Sequence, residues 1–349
     1  MDLSTLFFLS SGLFLGWTFG ANNMSSVFGT AIGTRMLSFK TAAIIASVLI
    51  VLGAVFSGAG VSSTLQDLGR INTLAGAFMT ALSAAVSLFL MTKAGLPVSS
   101  TQAIVGALVG WSWFVHVDIE WNIVGQIVAS WFTSPLLAMM IAYFLTLLVK
   151  TYLKLHPVPM LYRDAYTRLG LVLAGAFCAY ALGANNIGNV MAPFVRVIHL
   201  PDLDVGGLFT LSSAQQLFFI GGLAIVVGIF TYSKKVNTTI GQDVLQMSPI
   251  EAFITIMSQG IVLLLFSSVA LRQFLIKNGL PAFPLVPISS IGAVVGGLIG
   301  VSLTKKGQGL KVKMLVRIMS AWLITPIISA ATCFLALFFM QNVFGQEVF

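Results

Sequence analysis

The sequence is poor in charge. Of its 349 residues only 8% are Asp, Glu, Lys or Arg, while 58% are hydrophobic and the mean hydropathy is +0.99. A soluble domain carries about 25% charged residues, so the deficit excludes a soluble fold. Cysteine is scarce too. Cys178 and Cys333 both lie in apolar stretches, which excludes a disulfide framework. The three histidines, His116, His156 and His199, are scattered, and no Cys/His cluster with metal-ligand spacing occurs. A GxxxxGK[ST] loop is missing, so ATP hydrolysis on a P-loop is excluded. These absences argue against an enzyme. The first residues, MDLSTLFFLSS, lack the basic region of a cleavable leader, so the first apolar run is expected to remain as a membrane helix.

What is present is apolar sequence in long runs. Ten approach the length of a bilayer span: 3–33, 39–60, 72–92, 97–115, 121–150, 167–195, 211–232, 248–271, 284–304 and 313–344. They are continuous rather than alternating, which excludes a membrane β-barrel. The fold class is an all-α polytopic membrane protein. The first, sixth and tenth runs exceed the ~20 residues of a span, so tilts or breaks are expected.

The formal charge of +8 is a weak argument for nucleic-acid binding, because the cations sit in short loops between the runs. With one crossing per run and the N-terminus outside, the inside loops carry 14 of the 18 Lys and Arg residues. These are Arg35, Lys40, Lys93, Lys150, Lys154, Arg163, Arg168, Lys234, Lys235, Lys305, Lys306, Lys311, Lys313 and Arg317. The outside loops carry Arg70, Arg196, Arg272 and Lys277. The positive-inside rule then predicts both termini outside, in a plasma membrane such as a bacterial or archaeal inner membrane. Runs 97–115 and 284–304 are candidates for re-entrant segments.

The chain repeats itself. GANN at 20–23 returns at 183–186, VLGAVF (51–56) resembles VVGIF (226–230), and AFMTALS (77–83) matches AFITIMS (252–258). PVSSTQAIVGALVG (97–110) and PISSIGAVVGGLIG (287–300) are identical at eight of 14 positions, and WFTSP (131–135) matches WLITP (322–326). Five matches in one order mark a duplication: 1–153 as the first repeat, 154–166 as a cytoplasmic linker, 167–349 as the second. Five runs per half is an odd number, so the halves enter the membrane from opposite sides. Inverted repeats with interrupted helices are an architecture of secondary transporters.

The paired motifs carry the chemistry. Pro97 suits a first helical turn, and Ser99, Ser100 and Thr101 then place hydroxyls beside unpaired backbone amides at the positive end of a helix dipole. That is a site for an oxyanion. Ser289 and Ser290 offer its counterpart in the second half. In GANN, glycine before two asparagines suggests an unwound turn, tolerated at membrane depth where it lines a cavity. Asn22, Asn23, Asn185 and Asn186 supply donors for an anion and oxygens for a cation. Ionisable residues are nearly absent from the runs; Asp243 and Glu251 lie near the mouth of the eighth. A proton relay is hard to build from this set.

On these residues the chain resembles the inorganic phosphate transporter (PiT) family, whose members carry two GANDxxN-like and two PxSxTH-like motifs in inverted halves. The resemblance spans essentially the whole chain. It implies a secondary active transporter of a tetrahedral oxyanion, most of all phosphate, by cation-coupled symport with alternating access. A sulfate permease of the same fold and a passive anion channel are the alternatives. Ser99, Ser100, Thr101, Gln102, Ser289, Ser290, Asn22, Asn23, Asn185 and Asn186 are the implied substrate contacts, and Asn23, Asn186, Ser26 and Asn189 the implied coupling-ion site. Na⁺ or H⁺ is the coupling ion; no other cofactor or metal is implied. The partners are phosphate or sulfate, the bilayer, and a second copy of the chain as a homodimer. The departures are specific: Asn23 and Asn186 stand where the family has Asp, Ser26 replaces the trailing Asn of the first motif, and Gln102 and Ile291 stand where the family has His.

Overall fold

In lipid, backbone amides must find partners within the chain, so apolar sequence folds as helix wherever it is long enough. The computed structural model describes residues 2–94, 98–157, 159–207, 209–234, 247–307 and 312–349. Helices α1 (Leu3–Gly33), α2 (Phe39–Ser57), α3 (Ala59–Gly69), α4 (Leu74–Lys93), α5 (Ser100–Phe114) and α6 (Trp121–Leu155) form the first half. Then come α7 (Met160–Val195), a small antiparallel hairpin of β1 (Leu203–Val205) and β2 (Phe209–Leu211), and α8 (Ser213–Thr231). The chain ends with α9 (Pro249–Leu265), α10 (Val269–Lys277), α11 (Ser290–Leu303) and α12 (Val312–Asn342). Pro97, Lys235, Asp243 and Lys311 lie outside the described residues.

Among the described residues, seven helices are long and apolar enough to cross a membrane: α1, α2, α4, α6, α7 from Tyr162, α8, and α12 from Ile318. The run at 248–271 is not one straight span. α9 and α10 are bent by 68° at the break between them. α9 starts where Ser248 and Glu251 form a capping box with Pro249 in the first turn. α5 and α11 have 15 and 14 residues. At 1.5 Å per residue each covers about 20 Å, short of the ~30 Å hydrocarbon core. Both start inside the protein, and α11 is preceded by residues 280–289 in irregular conformation.

The halves interleave. α2 packs on α7 and α8 on α1; α12 packs on α5 and α6 on α11; α4 packs on α1 and α9 on α7. Glycine makes these seams close. A Cβ on Gly20 would collide with the Ile225 carbonyl, and one on Gly183 with that of Ile50. The same holds for Gly53 against Tyr180 and Gly228 against Trp17, and for Gly106 against Pro326 and Gly296 against Pro135. Each contact from one half has a counterpart from the other.

Two expectations change. GANN does not unwind: α1 and α7 run unbroken through it. The glycine there serves close helix approach, and the amides of Asn23 and Asn186 bond back to the carbonyls of Phe19 and Leu182, one turn earlier. The irregular backbone lies instead before α5 and α11. The segment 154–166 is also mostly helical, because α6 continues to Leu155 and α7 begins at Met160 after Pro157 and Pro159.

Candidate functional site

The middles of α1 and α7 face the starts of α5 and α11. Asn22 donates from Nδ2 to the Val98 carbonyl at 3.0 Å, just before α5. Asn185 grips the strand-like approach to α11 at two points, donating to Val286 O at 3.2 Å and accepting from the Ile288 amide at 2.9 Å. The first asparagine of each GANN thus satisfies backbone that a helix would otherwise have satisfied itself.

Asn23 meets a hydroxyl directly, while Asn186 is linked to the hydroxyls through Asn189. Ser290 donates to Asn23 Oδ1 at 2.6 Å. In the other half Asn189 Nδ2 donates to Thr101 Oγ1 at 3.0 Å, to Asn186 Oδ1 at 2.9 Å, and to Ser100 Oγ at 3.5 Å. The two short helices are tied directly, since Thr101 donates to the Ile288 carbonyl at 3.0 Å. Ser289 caps α11 by accepting from the Gly292 amide at 3.0 Å. Ser99 occupies the equivalent position of α5 but makes no cap bond, and its hydroxyl has no partner.

The structure therefore joins Asn22, Asn23, Ser100, Thr101, Asn185, Asn186, Asn189 and Ser290 into one bonded set around two helix starts. Ser99 and Gln102 flank it along α5 without a side-chain bond of their own. Ser26 enters through a residue that the sequence motifs do not mark. Gln259 on α9 donates from Nε2 to Ser26 Oγ at 3.4 Å and to the Ser290 carbonyl at 3.5 Å. It follows directly on the matched AFITIMS, where the first half has Ala84. A glutamine at an apolar position of a repeat was the available signal.

Each predicted residue here is at most 5% exposed, so the site is sealed in this conformation. It is also neutral. Among the described residues Glu251 is, cysteines aside, the one buried ionisable group, and it is ion-paired to Lys305 at 2.6 Å at the start of α9. The network is not self-sufficient. Asn22 Oδ1, Gln102 Oε1, Asn189 Oδ1 and Gln259 Oε1 are buried with no hydrogen-bond partner. An unsatisfied buried acceptor costs about 1–3 kcal/mol, and these oxygens, three within the network and that of Gln102 beside it, can accept from a donor or coordinate a cation. The helix starts supply the complement. First-turn amides have no acceptor within their own helix and carry the positive end of the dipole, which suits an anion.

A polytopic membrane protein in which two short helices begin inside the protein, over neutral donors and acceptors, has the form of a carrier for a small solute. The family model described as the phosphate transporter family (PHO4) matches residues 19–272 and 274–348, and this chain belongs to that family. Its relatives are transporters, not enzymes. It is 27% identical over 330 residues to a protein of Methanocaldococcus jannaschii provisionally named a phosphate permease, covering 94% of this chain and 95% of that one. Proteins provisionally given the same name in Pyrococcus abyssi (25% identical, 93% and 95% covered) and Haemophilus influenzae (22%, 96% and 96%) are similar along their length. A solved structure described as the sodium-dependent phosphate transporter shares the fold. Its TM-score is 0.78 at 20% identity, covering 98% of this chain and all of that one.

Proposed function

We propose that this protein carries phosphate across a plasma membrane by Na⁺-coupled symport. The observation that carries the reading is the bond from Thr101 to Ile288. It holds the starts of α5 and α11 together within a neutral network in which the amide oxygens of Asn22, Asn189 and Gln259 lack partners. The oxyanion lies between the two helix starts, held by their amides and by Ser99, Ser100, Thr101, Gln102, Ser289 and Ser290, with Asn22 and Asn185 fixing the backbone beneath. Na⁺ is held by neutral oxygens of Asn23, Ser26, Asn186, Asn189 and Gln259. Amide and hydroxyl oxygens are hard ligands suited to such a cation. The sodium dependence of the structural relative supports Na⁺ over H⁺, as does the lack of a titratable group in the network.

The halves, 1–153 and 167–349, are inverted repeats joined at 154–166, and access alternates as one moves against the other. The termini face outside. Ion pairs form on both sides, Arg196 with Asp67 at 2.6 Å and Arg70 with Glu120 among the outer cations, Lys305 with Glu251 and Arg168 with Asp164 among the inner ones, so the excess of Lys and Arg on the inner side still orients the chain. The deciding experiment is uptake of labelled phosphate and labelled sulfate into proteoliposomes with Na⁺ and pH gradients imposed separately. Phosphate uptake should follow the Na⁺ gradient. Uptake driven by a pH gradient alone, indifference to both gradients, or a preference for sulfate would each overturn part of the reading.

A further inference from the structure

At the end of the molecule where α6 finishes and α7 begins, the two helices separate around a cavity of about 350 Å³. Its walls are Val149 and Leu153 of α6, Gly170 of α7, and Ile250 and Phe253 of α9, and Arg163 stands at its mouth. Gly170 keeps it open. A Cβ there would already press on the Phe253 ring at 3.3 Å, and a glycine within a helix costs about 1 kcal/mol relative to alanine. Tyr152 and Tyr166 also line it and are 57% and 64% exposed. Tyrosines in that position mark the membrane–water boundary. The neighbouring Leu148, Leu169 and Leu173 are exposed apolar side chains of the lipid-facing surface.

The charge is one-sided. Arg163 is exposed and, among the described residues, its guanidinium has no ion-pair partner. The adjacent carboxylate, Asp164, shares a neighbouring cavity with Arg163 but does not line this one, and its ion pair is with Arg168 at 3.6 Å. Lys150 turns away to Thr304 at 3.0 Å. An unpaired guanidinium at the headgroup level, above an apolar slot open to the acyl region, complements a phosphodiester that carries hydrocarbon chains. Free phosphate would have no use for the apolar walls.

We propose that this cleft between α6, α7 and α9 binds one anionic glycerophospholipid of the adjoining leaflet. Its phosphate sits on Arg163, and an acyl chain lies along Leu153 and Phe253. The site is separate from the α5–α11 network, and its test does not involve transport. Full-length protein in neutral detergent, offered equimolar phosphatidylglycerol and phosphatidylcholine, is read by native mass spectrometry. Wild type should retain one phosphatidylglycerol about fivefold over phosphatidylcholine, the value of one basic side chain near a headgroup. Arg163→Gln, a surface change that leaves the fold intact, should erase that preference. Gly170→Leu should reduce retention of both lipids by filling the slot. Equal retention of both lipids by wild type, a preference that survives Arg163→Gln, or displacement of the lipid by excess inorganic phosphate would overturn the proposal.

Discussion

Ser290 and Asn23, 267 positions apart, share a 2.6 Å hydrogen bond in which the serine donates. Asn23 Oδ1 therefore faces the start of α11 as an acceptor, the role a carboxylate would fill at the same place. Asn23→Asp keeps the bond and adds a charge. A charge-assisted bond is worth about 1.5–3 kcal/mol, so the Na⁺ concentration for half-maximal uptake should fall about tenfold or more. A Na⁺ titration of uptake in proteoliposomes reads this directly. An unchanged or raised Na⁺ requirement would remove Asn23 from the ion site.

Ser100→Ala and Ser290→Ala each delete a hydroxyl at a helix start. Loss of one hydrogen bond to a charged group costs about 1.5–3 kcal/mol, so uptake should drop at least about tenfold at limiting phosphate, with Tm lowered by a few degrees at most. Full uptake in both variants would sink the oxyanion site.

Gln259 offers a sharper separation of function from stability. It is fully buried, and its Oε1 has no partner. Leucine there removes the orphaned oxygen and gives up only two long bonds, at 3.4 and 3.5 Å. Gln259→Leu should therefore hold or raise Tm while reducing Na⁺-driven uptake. A lowered Tm with normal uptake would make Gln259 a structural tie and nothing more.

The proposed ion site, Asn23, Ser26, Asn186, Asn189 and Gln259, contains no Asp, Glu or His. The Na⁺ concentration for half-maximal uptake should accordingly stay constant between about pH 6 and 8, the window in which a histidine ligand would titrate. A marked shift across that window, after allowance for the protonation of phosphate itself, would require an ionisable ligand.

The seams can be tested by size. Gly20→Ala and Gly183→Ala would each drive a methyl into a facing backbone carbonyl, which cannot swing aside as a side chain can. Overpacking of this kind costs about 1–3 kcal/mol, so both variants should lower Tm, and by similar amounts. Gly125, where an added Cβ would meet nothing within 4 Å, should accept alanine without loss.

Much of this was legible in the sequence. The helices follow from uninterrupted apolar runs, and the repeated GANN and PxSS motifs marked residues that the fold brings into bonded contact. The break was misplaced for a physical reason. Glycine next to asparagine is a turn signal in water, but in a packed membrane helix the glycine admits a neighbouring backbone and the asparagine bonds one turn back, so the helix survives. The irregular backbone belongs to the other motif, where serines precede a short helix. α10 was hidden because the apolar run from 248 carries no proline or glycine at the bend near Ser267 and Ser268. Gln259 was hidden because its partners, Ser26 and the Ser290 carbonyl, come from distant helices that no local pattern connects to it.

The glycine seams have one further consequence. Where α5 meets α12, and α11 meets α6, backbone lies on backbone, with a bare helix ridge at Gly106 and Gly296. A core of interdigitated leucines would have to unlock rotamer by rotamer before one helix could pass another. These surfaces have no teeth at those points. In the proposed alternating-access mechanism, these smooth backbone seams are where one half would move against the other.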